Sequence, residues 1–377
     1  MTDDKLIRPA IAALRPYSPG KPIEEVQREY GLTDIIKLAS NENPLGPSPL
    51  ALEAMKKAIE QTRLYPDNDW HDLRRELAAH LGLPGEQIVV GRGSDEIILQ
   101  IGLAFLNPGE RALMPQGPFS QYEFTTRLMG GECVMVPMRD YRYDLREMAR
   151  RLDRRTKLVW IGNPNNPTGT IVTVDEVGAF LEAAPRGCVV VMDEAYFEYV
   201  EDPHYPDSLT MLKQGADNII VLRTFSKIYS LAGLRIGYGF GPPRLIEHLL
   251  RVRAPFNVST VAMEAARASL RDRGQVERSR QVNREGKEYL YRELERLGVS
   301  YVPTHANFIL MEVGVDCRKV FEGLLRQGVI VRTGDIFGLP THIRVTIGLP
   351  EQNQRFIAAL EKVLAASGAG KGKGDAS

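Results

Sequence analysis

Short runs of apolar residues alternate with helical patterns from about residue 49 to 240, and this alternation constrains the fold more than any other feature. The runs are continuous rather than interrupted by polar residues, which is typical of strands buried on both faces. Such strands separated by helices predict an α/β fold with a mostly parallel sheet. The predicted strands are 88–90, 112–114, 133–136, 158–161, 189–192 and 219–222. The predicted helices are 49–61, 70–81, 94–105, 119–129, 144–151 and 173–184.

The sequence predicts four regions along the chain. Residues 1–40 are expected to form an N-terminal arm or part of a small domain, with a helix at 23–30 after a proline-rich segment that cannot be helical. Residues 41–245 form the large domain, and residues 367–377, rich in glycine and lysine, are predicted to be disordered. Residues 246–366 are predicted to form a connecting helix and a smaller α+β domain, with strands at 308–313, 329–332 and 343–347 and helices at 317–327 and 350–366.

Charge and cysteine content exclude several classes of function. The 48 basic and 48 acidic residues balance, so no overall field favours nucleic acid or an anionic membrane. Three scattered cysteines form no CxxC pair, which argues against a disulfide framework or a zinc site. The charged N-terminus predicts no secretory signal, and no apolar run approaches the ~20 residues of a membrane span. We therefore expect a cytoplasmic protein that binds neither nucleic acid, metal nor membrane.

Polar residues follow the predicted strands at the positions where ligands bind in α/β sheets, beyond the carboxyl ends. The segment Gly91–Glu96 opens a helix after the first strand, and backbone N–H groups at such a start can hold a phosphate. A capped helix, with Ser94 or Asp95 near its start, explains this segment equally well. The segment Gly162–Gly169 contains three asparagines and two prolines, more than a turn requires.

Two charged residues are the strongest candidates for chemistry. Asp193 follows a buried strand, where a carboxylate is costly unless it meets a cation or a donor. Lys227 follows the last apolar run, and a lysine amine in such a place can attack a carbonyl group. Thr224 and Ser226 supply hydroxyl groups beside it, and the planar guanidinium of Arg235 suits a phosphate. An isolated lysine would be a surface residue, but the recurrence of polar segments at one edge favours a shared site.

These motifs together resemble those of the fold-type I pyridoxal-phosphate aminotransferases, over about residues 17–348. The motifs that carry the resemblance are NNPTG at 165–169, DEAY at 193–196, and Ser226-Lys227 followed by Arg235. The resemblance implies pyridoxal 5′-phosphate as cofactor, a large cofactor-binding domain at 41–245, and a homodimer with shared active sites.

The same resemblance implies a role for each site residue. Lys227 would hold the cofactor as a Schiff base, Asp193 would pair with its pyridine nitrogen, and Asn166 and Tyr196 would bind its 3′-oxygen. Phe119 would stack on the ring, and Tyr65 would reach the phosphate in the neighbouring subunit. The residues expected around the phosphate are Gly93, Ser94, Asp95, Thr224, Ser226 and Arg235.

A narrower resemblance is to the histidinol-phosphate aminotransferase family. It rests on the segments at 15–22, 38–46 and 232–238. In that family Tyr17, Asn43, Arg332 and Arg344 would face the substrate, and two arginines with a tyrosine suit a phosphate. Catalysis is then expected to involve Lys227, Asp193 and Tyr196.

Three alternative functions stay open at this point. The cofactor motifs also suit an aminotransferase for aromatic amino acids and a threonine-phosphate decarboxylase, which acts on a phosphorylated amine. A transcriptional regulator built on the same fold would need a DNA-binding module, and the chain has neither the extra length nor the basic stretch for one.

Overall fold

One seven-stranded sheet contains all six predicted apolar runs. The structure is a computed structural model that describes residues 6–12, 14, 16 and 20–367. The ends of the predicted strands differ by up to two residues from those observed, and the seventh strand, Gly237–Phe240, was not predicted. In chain order the strands are β1 (Ile36–Lys37), β2 (Ile88–Gly91), β3 (Arg111–Pro115), β4 (Glu132–Val136), β5 (Thr156–Gly162), β6 (Val189–Asp193), β7 (Ile219–Thr224), β8 (Gly237–Phe240), β9 (Ser300–Val302), β10 (Phe308–Glu312), β11 (Val329–Ile330), β12 (Arg332–Thr333) and β13 (His342–Thr346).

The large sheet has the strand order β2-β8-β7-β6-β5-β3-β4. The neighbouring strands from β7 to β4 are parallel, whereas β8 is antiparallel to both β7 and β2. Every residue of β6 and β7 is buried, as expected for strands covered on both faces. The predicted α/β class with a mostly parallel sheet is confirmed.

The helices begin where the sequence offers caps. The Ser48 hydroxyl accepts a hydrogen bond from Ala51 N, and Thr173 and Glu176 form a capping box. The helices predicted with stated ends are confirmed within two residues at either end, whereas the region predicted as a connecting helix contains three helices between Pro243 and Arg296. In chain order they are α1 (Pro9–Ala12), α2 (Ile23–Tyr30), α3 (Pro49–Ile59), α4 (His71–Leu81), α5 (Gly93–Phe105), α6 (Ser120–Leu128), α7 (Leu145–Arg150), α8 (Val174–Ala183), α9 (Ser208–Lys213), α10 (Pro243–Val252), α11 (Thr260–Arg271), α12 (Arg273–Arg296), α13 (Cys317–Arg326) and α14 (Pro350–Ala366).

A second sheet is antiparallel, with the order β12-β13-β10-β9, and β1 pairs with β11 in a separate two-stranded sheet. The single strand predicted at 329–332 is therefore wrong. Val329 and Ile330 pair with β1, whereas Arg332 pairs with β13, so this one segment belongs to two different sheets. Residues of β10, β13, α13 and α14 share a hydrophobic core that is distinct from the core around the large sheet.

The predicted domain boundaries stay predictions. The large core continues beyond residue 245, because Ala262, Ala265 and Ala266 of α11 belong to it. The tail predicted to be disordered lies, after Ser367, outside the described residues. Within the described residues, no helix is long and apolar enough to cross a membrane.

Gly169 ties the loop after β5 to the segment that leads into β10. Its φ is +75°, and its carbonyl oxygen accepts a hydrogen bond from His305 N at 2.8 Å. A Cβ at this position would lie 1.9 Å from Thr304 Oγ1 and 3.2 Å from Thr304 Cα. Both the backbone conformation and the space thus require glycine.

We expect Gly169→Ala to lower the free energy of unfolding by about 2 kcal/mol or more, because it adds left-handed strain and a steric clash. Gly178→Ala is the matched control, since a Cβ on that helical glycine of α8 meets no atom within 4 Å. The control should leave stability unchanged or raise it slightly. Urea unfolding measures both, and equal stability of the two variants would contradict the prediction.

Candidate active site

The carboxyl ends of β5, β6 and β7 and the start of α5 open onto one cavity of about 920 Å³. The antiparallel sheet contributes Arg332 and Arg344 to the opposite wall. The structure thus brings together most of the residues predicted from the sequence. Those that line the cavity are Ser94, Asp95, Phe119, Asn166, Asp193, Tyr196, Thr224, Ser226, Lys227, Arg235, Arg332 and Arg344.

Lys227 is half-buried, three residues after the end of β7. Its Nζ donates a hydrogen bond to the backbone oxygen of Ser40 at 3.1 Å and lies 5.5 Å from the centre of the Tyr196 ring. The segment that contains Ser40 comes from the N-terminal region, so the amine is held between two distant parts of the chain. The amine faces the cavity, as a nucleophile must.

Asp193, the last residue of β6, is 5% exposed. Its carboxylate accepts hydrogen bonds from the Tyr122 hydroxyl at 2.8 Å and from Ala195 N at 3.2 Å. Burial raises the pKa of Asp193 to about 6, and the Tyr122 hydrogen bond opposes that rise. Both donors are neutral, so a cation delivered by a ligand would stabilise the ionised carboxylate.

The neighbouring carboxylate, Glu194, points away from the cavity and has a cation of its own. Its Oε2 lies 2.8 Å from Arg223 Nη2, and both side chains are buried. The Arg223 guanidinium also lies 3.6 Å from the centre of the Phe197 ring. Of the two adjacent acids, the structure therefore assigns only Asp193 to the cavity.

The start of α5 forms an anion cradle with the segment after β7. A Cβ on Gly93 would lie 2.6 Å from Arg235 Nη2, and one on Gly237 would lie 2.7 Å from Ser94 N, so both glycines permit close approach. The guanidinium of Arg235 also contacts Asp95 Oδ2 at 3.0 Å and Ser226 Oγ at 3.4 Å. A helix start, hydroxyl groups and a guanidinium make a site suited to phosphate.

Two polar side chains that line the cavity are each oriented by a neighbour that donates one hydrogen bond to them. Tyr196 Oη accepts from Asn41 Nδ2 at 2.9 Å, which leaves its own hydrogen to donate to a ligand oxygen. Asn166 Oδ1 accepts from Arg344 Nη1, which directs its amide hydrogens elsewhere. Both residues can therefore act as donors to one ligand oxygen.

Arg332 and Arg344 are directly opposite each other on β12 and β13. Arg344 is 5% exposed, and its Nη2 donates to Ala39 O at 2.7 Å. Like charges at directly opposite positions of an antiparallel pair destabilise a sheet. An anion in the cavity would offset that repulsion, so this wall is suited to bind an acidic substrate group.

Three of the predicted site residues that the structure describes do not line the cavity. Gly93 packs closely against the guanidinium of Arg235. Asn43 is buried, and its amide donates to Ile228 O and to Ser279 Oγ, both at 2.8 Å, so a contact with substrate finds no support here. Tyr65 is 83% exposed and stacks on Phe256, away from the cavity of its own chain. Tyr17 lies outside the described residues.

Sequence reasoning missed Asn41 and Tyr122, which both act through other residues. Asn41 lies two residues before the predicted Asn43, and its φ of +57° turns the chain so that Asn41 meets the cavity. Tyr122 stacks on Trp160 at 5.1 Å between ring centres and points its hydroxyl at Asp193. No local signal marks Tyr122, because its partner Asp193 is 71 positions away in the sequence.

Comparison with known proteins agrees with this geometry. The family model for class I and II aminotransferases matches residues 33–360. The chain belongs to this family.

Among the described residues no cluster of three or more His, Cys, Asp or Glu could hold a metal ion.

The narrower resemblance is confirmed as well. The chain is 52% identical to the histidinol-phosphate aminotransferase of Moorella thermoacetica, over 95% of this chain and 93% of that protein. It is 47% identical to the enzyme of the same name from Brevibacillus brevis, over 92% of this chain and 95% of that protein. A crystal structure of the Sinorhizobium meliloti histidinol-phosphate aminotransferase in complex with pyridoxal-5′-phosphate superposes with a TM-score of 0.89 at 28% identity, covering 97% of this chain and 99% of that chain.

The raised pKa of Asp193 predicts how cofactor-free protein responds to pH. Between the unfolded value near 4 and the folded value of about 6 the folded state binds the extra proton, so ionising Asp193 destabilises the fold as pH rises. We expect Asp193→Asn to gain about 3 kcal/mol in unfolding free energy relative to the wild type between pH 4 and pH 7.

Urea unfolding across this pH range measures the difference. Asp217→Asn, at a carboxylate whose side chain is 81% exposed, is the control and should follow the wild type. A difference between Asp193→Asn and wild type that stays constant with pH would refute the prediction.

Proposed function

We propose that the protein is a pyridoxal-phosphate-dependent aminotransferase that converts L-histidinol phosphate and 2-oxoglutarate to imidazole acetol phosphate and L-glutamate, a step of histidine biosynthesis. The relatives named above support this substrate. The observation that carries it is the pair Arg332 and Arg344, directly opposite each other on one cavity wall. A phosphate, with two negative charges, compensates two guanidinium groups better than a single carboxylate does.

The residues of the cavity fit the cofactor. Lys227 would hold it covalently, the cradle of Ser94, Ser226 and Arg235 would hold its phosphate, and Asp193 would meet the protonated ring nitrogen. When bound, the cofactor withdraws electrons from the reacting carbon of the substrate. The buried carboxylate of Asp193 would keep the ring nitrogen protonated. The resulting cation would offset the cost of burying the ionised carboxylate.

The chain's own groups supply the proton transfer and the orientation. The Nζ of Lys227, when free, would take the proton from the substrate carbon as a general base and deliver it to the cofactor carbon as a general acid. Ser40 O, at 3.1 Å, holds this amine at the cavity wall. Asn166 and Tyr196 would donate to the cofactor's 3′-oxygen, and Phe119 would pack against its ring.

The surface around Tyr65 supports a homodimer with shared sites. Several large apolar side chains near it are strongly exposed, with Tyr65 at 83%, Leu64 at 59% and Ile59 at 58%. Exposed apolar groups close together mark an interaction surface. We place Tyr65 at the phosphate of the partner's cofactor.

We also place the enzyme in the cytoplasm, where its three unpaired cysteines would stay reduced.

The apolar part of the cavity favours one second candidate, an aminotransferase for aromatic amino acids. Phe119, Phe124, Ile336 and Phe337 line the cavity together. This surface accepts an imidazole ring and a phenyl ring alike. The substrate's acidic group, rather than its ring, therefore decides between the two functions.

We expect purified protein to be yellow, with a visible absorption that borohydride removes while fixing the cofactor to Lys227. Lys227→Ala should lower turnover by at least about a thousandfold, as expected for loss of a general acid–base. Lys213→Ala is the control, because Lys213 hydrogen-bonds Leu81 O away from the cavity and should leave turnover intact. Peptide mass mapping after reduction locates the label, and a label on another lysine would overturn the assignment.

A panel of amino donors with 2-oxoglutarate tests the substrate. We expect kcat/KM for histidinol phosphate to exceed that for phenylalanine by at least about tenfold. Arg332→Gln should remove about tenfold from the histidinol phosphate value and much less from the phenylalanine value, because only the former loses a charge-assisted hydrogen bond to phosphate. A wild-type preference for phenylalanine would favour the aromatic enzyme, and carbon dioxide release without transfer to 2-oxoglutarate would favour a decarboxylase.

A further inference from the structure

Strand β13 joins the small sheet to the wall of the active site through alternate side chains. Ile343 and Val345 belong to the hydrophobic core of the small sheet. His342, Arg344 and Thr346 lie on the opposite face, as the two-residue period of a strand requires. All three are polar and yet only 6%, 5% and 3% exposed, so each needs a polar partner across the boundary.

Each of these side chains finds a partner outside its own sheet. Thr346 Oγ1 accepts from Asn41 N at 2.9 Å, and Arg344 Nη1 donates to Asn166 Oδ1. His342 Nε2 lies 3.0 Å from the Tyr141 hydroxyl. Burial lowers the pKa of His342, with Glu312 opposing, which favours a neutral imidazole that can accept this hydroxyl proton. The first and last residues of the strand are thus fixed on either side of Arg344.

Tyr141 is held in a strained conformation that presents its side chain to His342. It lies at the tip of a hairpin closed by mutual backbone hydrogen bonds of 2.9 Å between Arg139 and Arg142. Asp140 and Tyr141 both adopt left-handed backbone, with φ of 50° and 61°. A two-residue hairpin turn requires positive φ at both central residues, a conformation that costs more for tyrosine than for glycine or asparagine.

The hairpin is also bonded to the loop that carries Asn166. Thr170 Oγ1 donates to Tyr141 O at 2.8 Å, and Thr170 O accepts from Asn165 N at 2.9 Å. One chain of contacts therefore runs from His342 through Tyr141 and Thr170 to the residue beside Asn166. It joins the strand of the substrate-binding arginine to the loop of a cofactor-binding asparagine.

We propose that Tyr141 and His342 are positioning residues that hold β13 against the 163–170 loop and thereby fix Arg344 for the substrate's acidic group. The proposal rests on the function given above, in which Arg344 binds that group. It assigns neither residue a contact with the reacting atoms. Its consequence is that loss of the contact weakens the binding of acidic ligands while the chemical step stays intact.

Tyr141→Phe removes the hydroxyl and keeps the ring. We expect KM for 2-oxoglutarate and the Kd of succinate, an unreactive dicarboxylate, to rise about fivefold, the effect of one lost neutral hydrogen bond, with kcat within twofold of wild type. The matched control is Tyr301→Phe. Tyr301 lies on the same sheet but away from the cavity, and its hydroxyl donates a hydrogen bond to Glu295 at 2.8 Å. This control should change neither constant.

A second pair of variants separates positioning from general stability. His342→Gln keeps an acceptor near Nε2 and should stay close to wild type, whereas His342→Leu should match Tyr141→Phe. In an Arg344→Lys background Tyr141→Phe should add no further loss, because the group that it positions is gone. Full additivity in that background, unchanged succinate binding in Tyr141→Phe, or equal losses in the two His342 variants would overturn the proposal.

Succinate binding and the donor panel report on different claims. A wild type that prefers phenylalanine would refute histidinol phosphate as substrate, while the succinate constants would still decide the role of Tyr141. Conversely, a wild type specific for histidinol phosphate with unchanged succinate binding in Tyr141→Phe would refute only the positioning role.

Discussion

The direction of the buried strands is the constraint on which the rest of the structure depends. Strands covered on both faces and joined by helices run parallel, so the carboxyl ends of β5, β6 and β7 must meet along one edge. Charged groups can leave the apolar interior only near the ends of the strands, and ligands of such sheets bind beyond the carboxyl ends. Asp193 and Lys227 lie there for this reason, while Glu194, one residue further along the chain, turns back into the protein and requires Arg223 as a partner.

A second layer of contacts determines what the residues at this edge can do. The side-chain amide of Asn41 donates a hydrogen bond to the Tyr196 hydroxyl oxygen, and the guanidinium of Arg344 donates one to the side-chain oxygen of Asn166. Each contact leaves a donor facing the cavity. Arg344 belongs to the small sheet and Asn166 to the loop after β5, so their hydrogen bond links the two walls of the cavity. In the proposed function, this bond makes the orientation of a cofactor-binding group depend on the placement of a substrate-binding one.

Local patterns were sufficient to predict most of the elements, and the failures have physical causes. The run at 329–332 looks like one strand because all its residues favour extended backbone, yet its two halves pair with different sheets. Strand β8 (Gly237–Phe240) was missed because alternate glycines weaken the apolar signal. Spacing could not distinguish Asn41 from Asn43, since the left-handed backbone at Asn41 breaks the period of two. Tyr122 meets Asp193 across 71 positions of sequence, which no local pattern encodes.

Left-handed backbone at residues other than glycine occurs both at the cavity and away from it. Among the described residues, left-handed conformations at positions other than glycine include Asn41 and Arg235 on the cavity wall, and Ser230, whose N–H bonds Lys227 O at 3.0 Å. Another, Phe256, stacks on the exposed Tyr65. Such conformations cost about 1–3 kcal/mol each and survive only where neighbouring contacts impose them. A two-residue hairpin turn requires positive φ at both central residues, and at Asp140 and Tyr141 this turn presents the Tyr141 hydroxyl to the strand of Arg344.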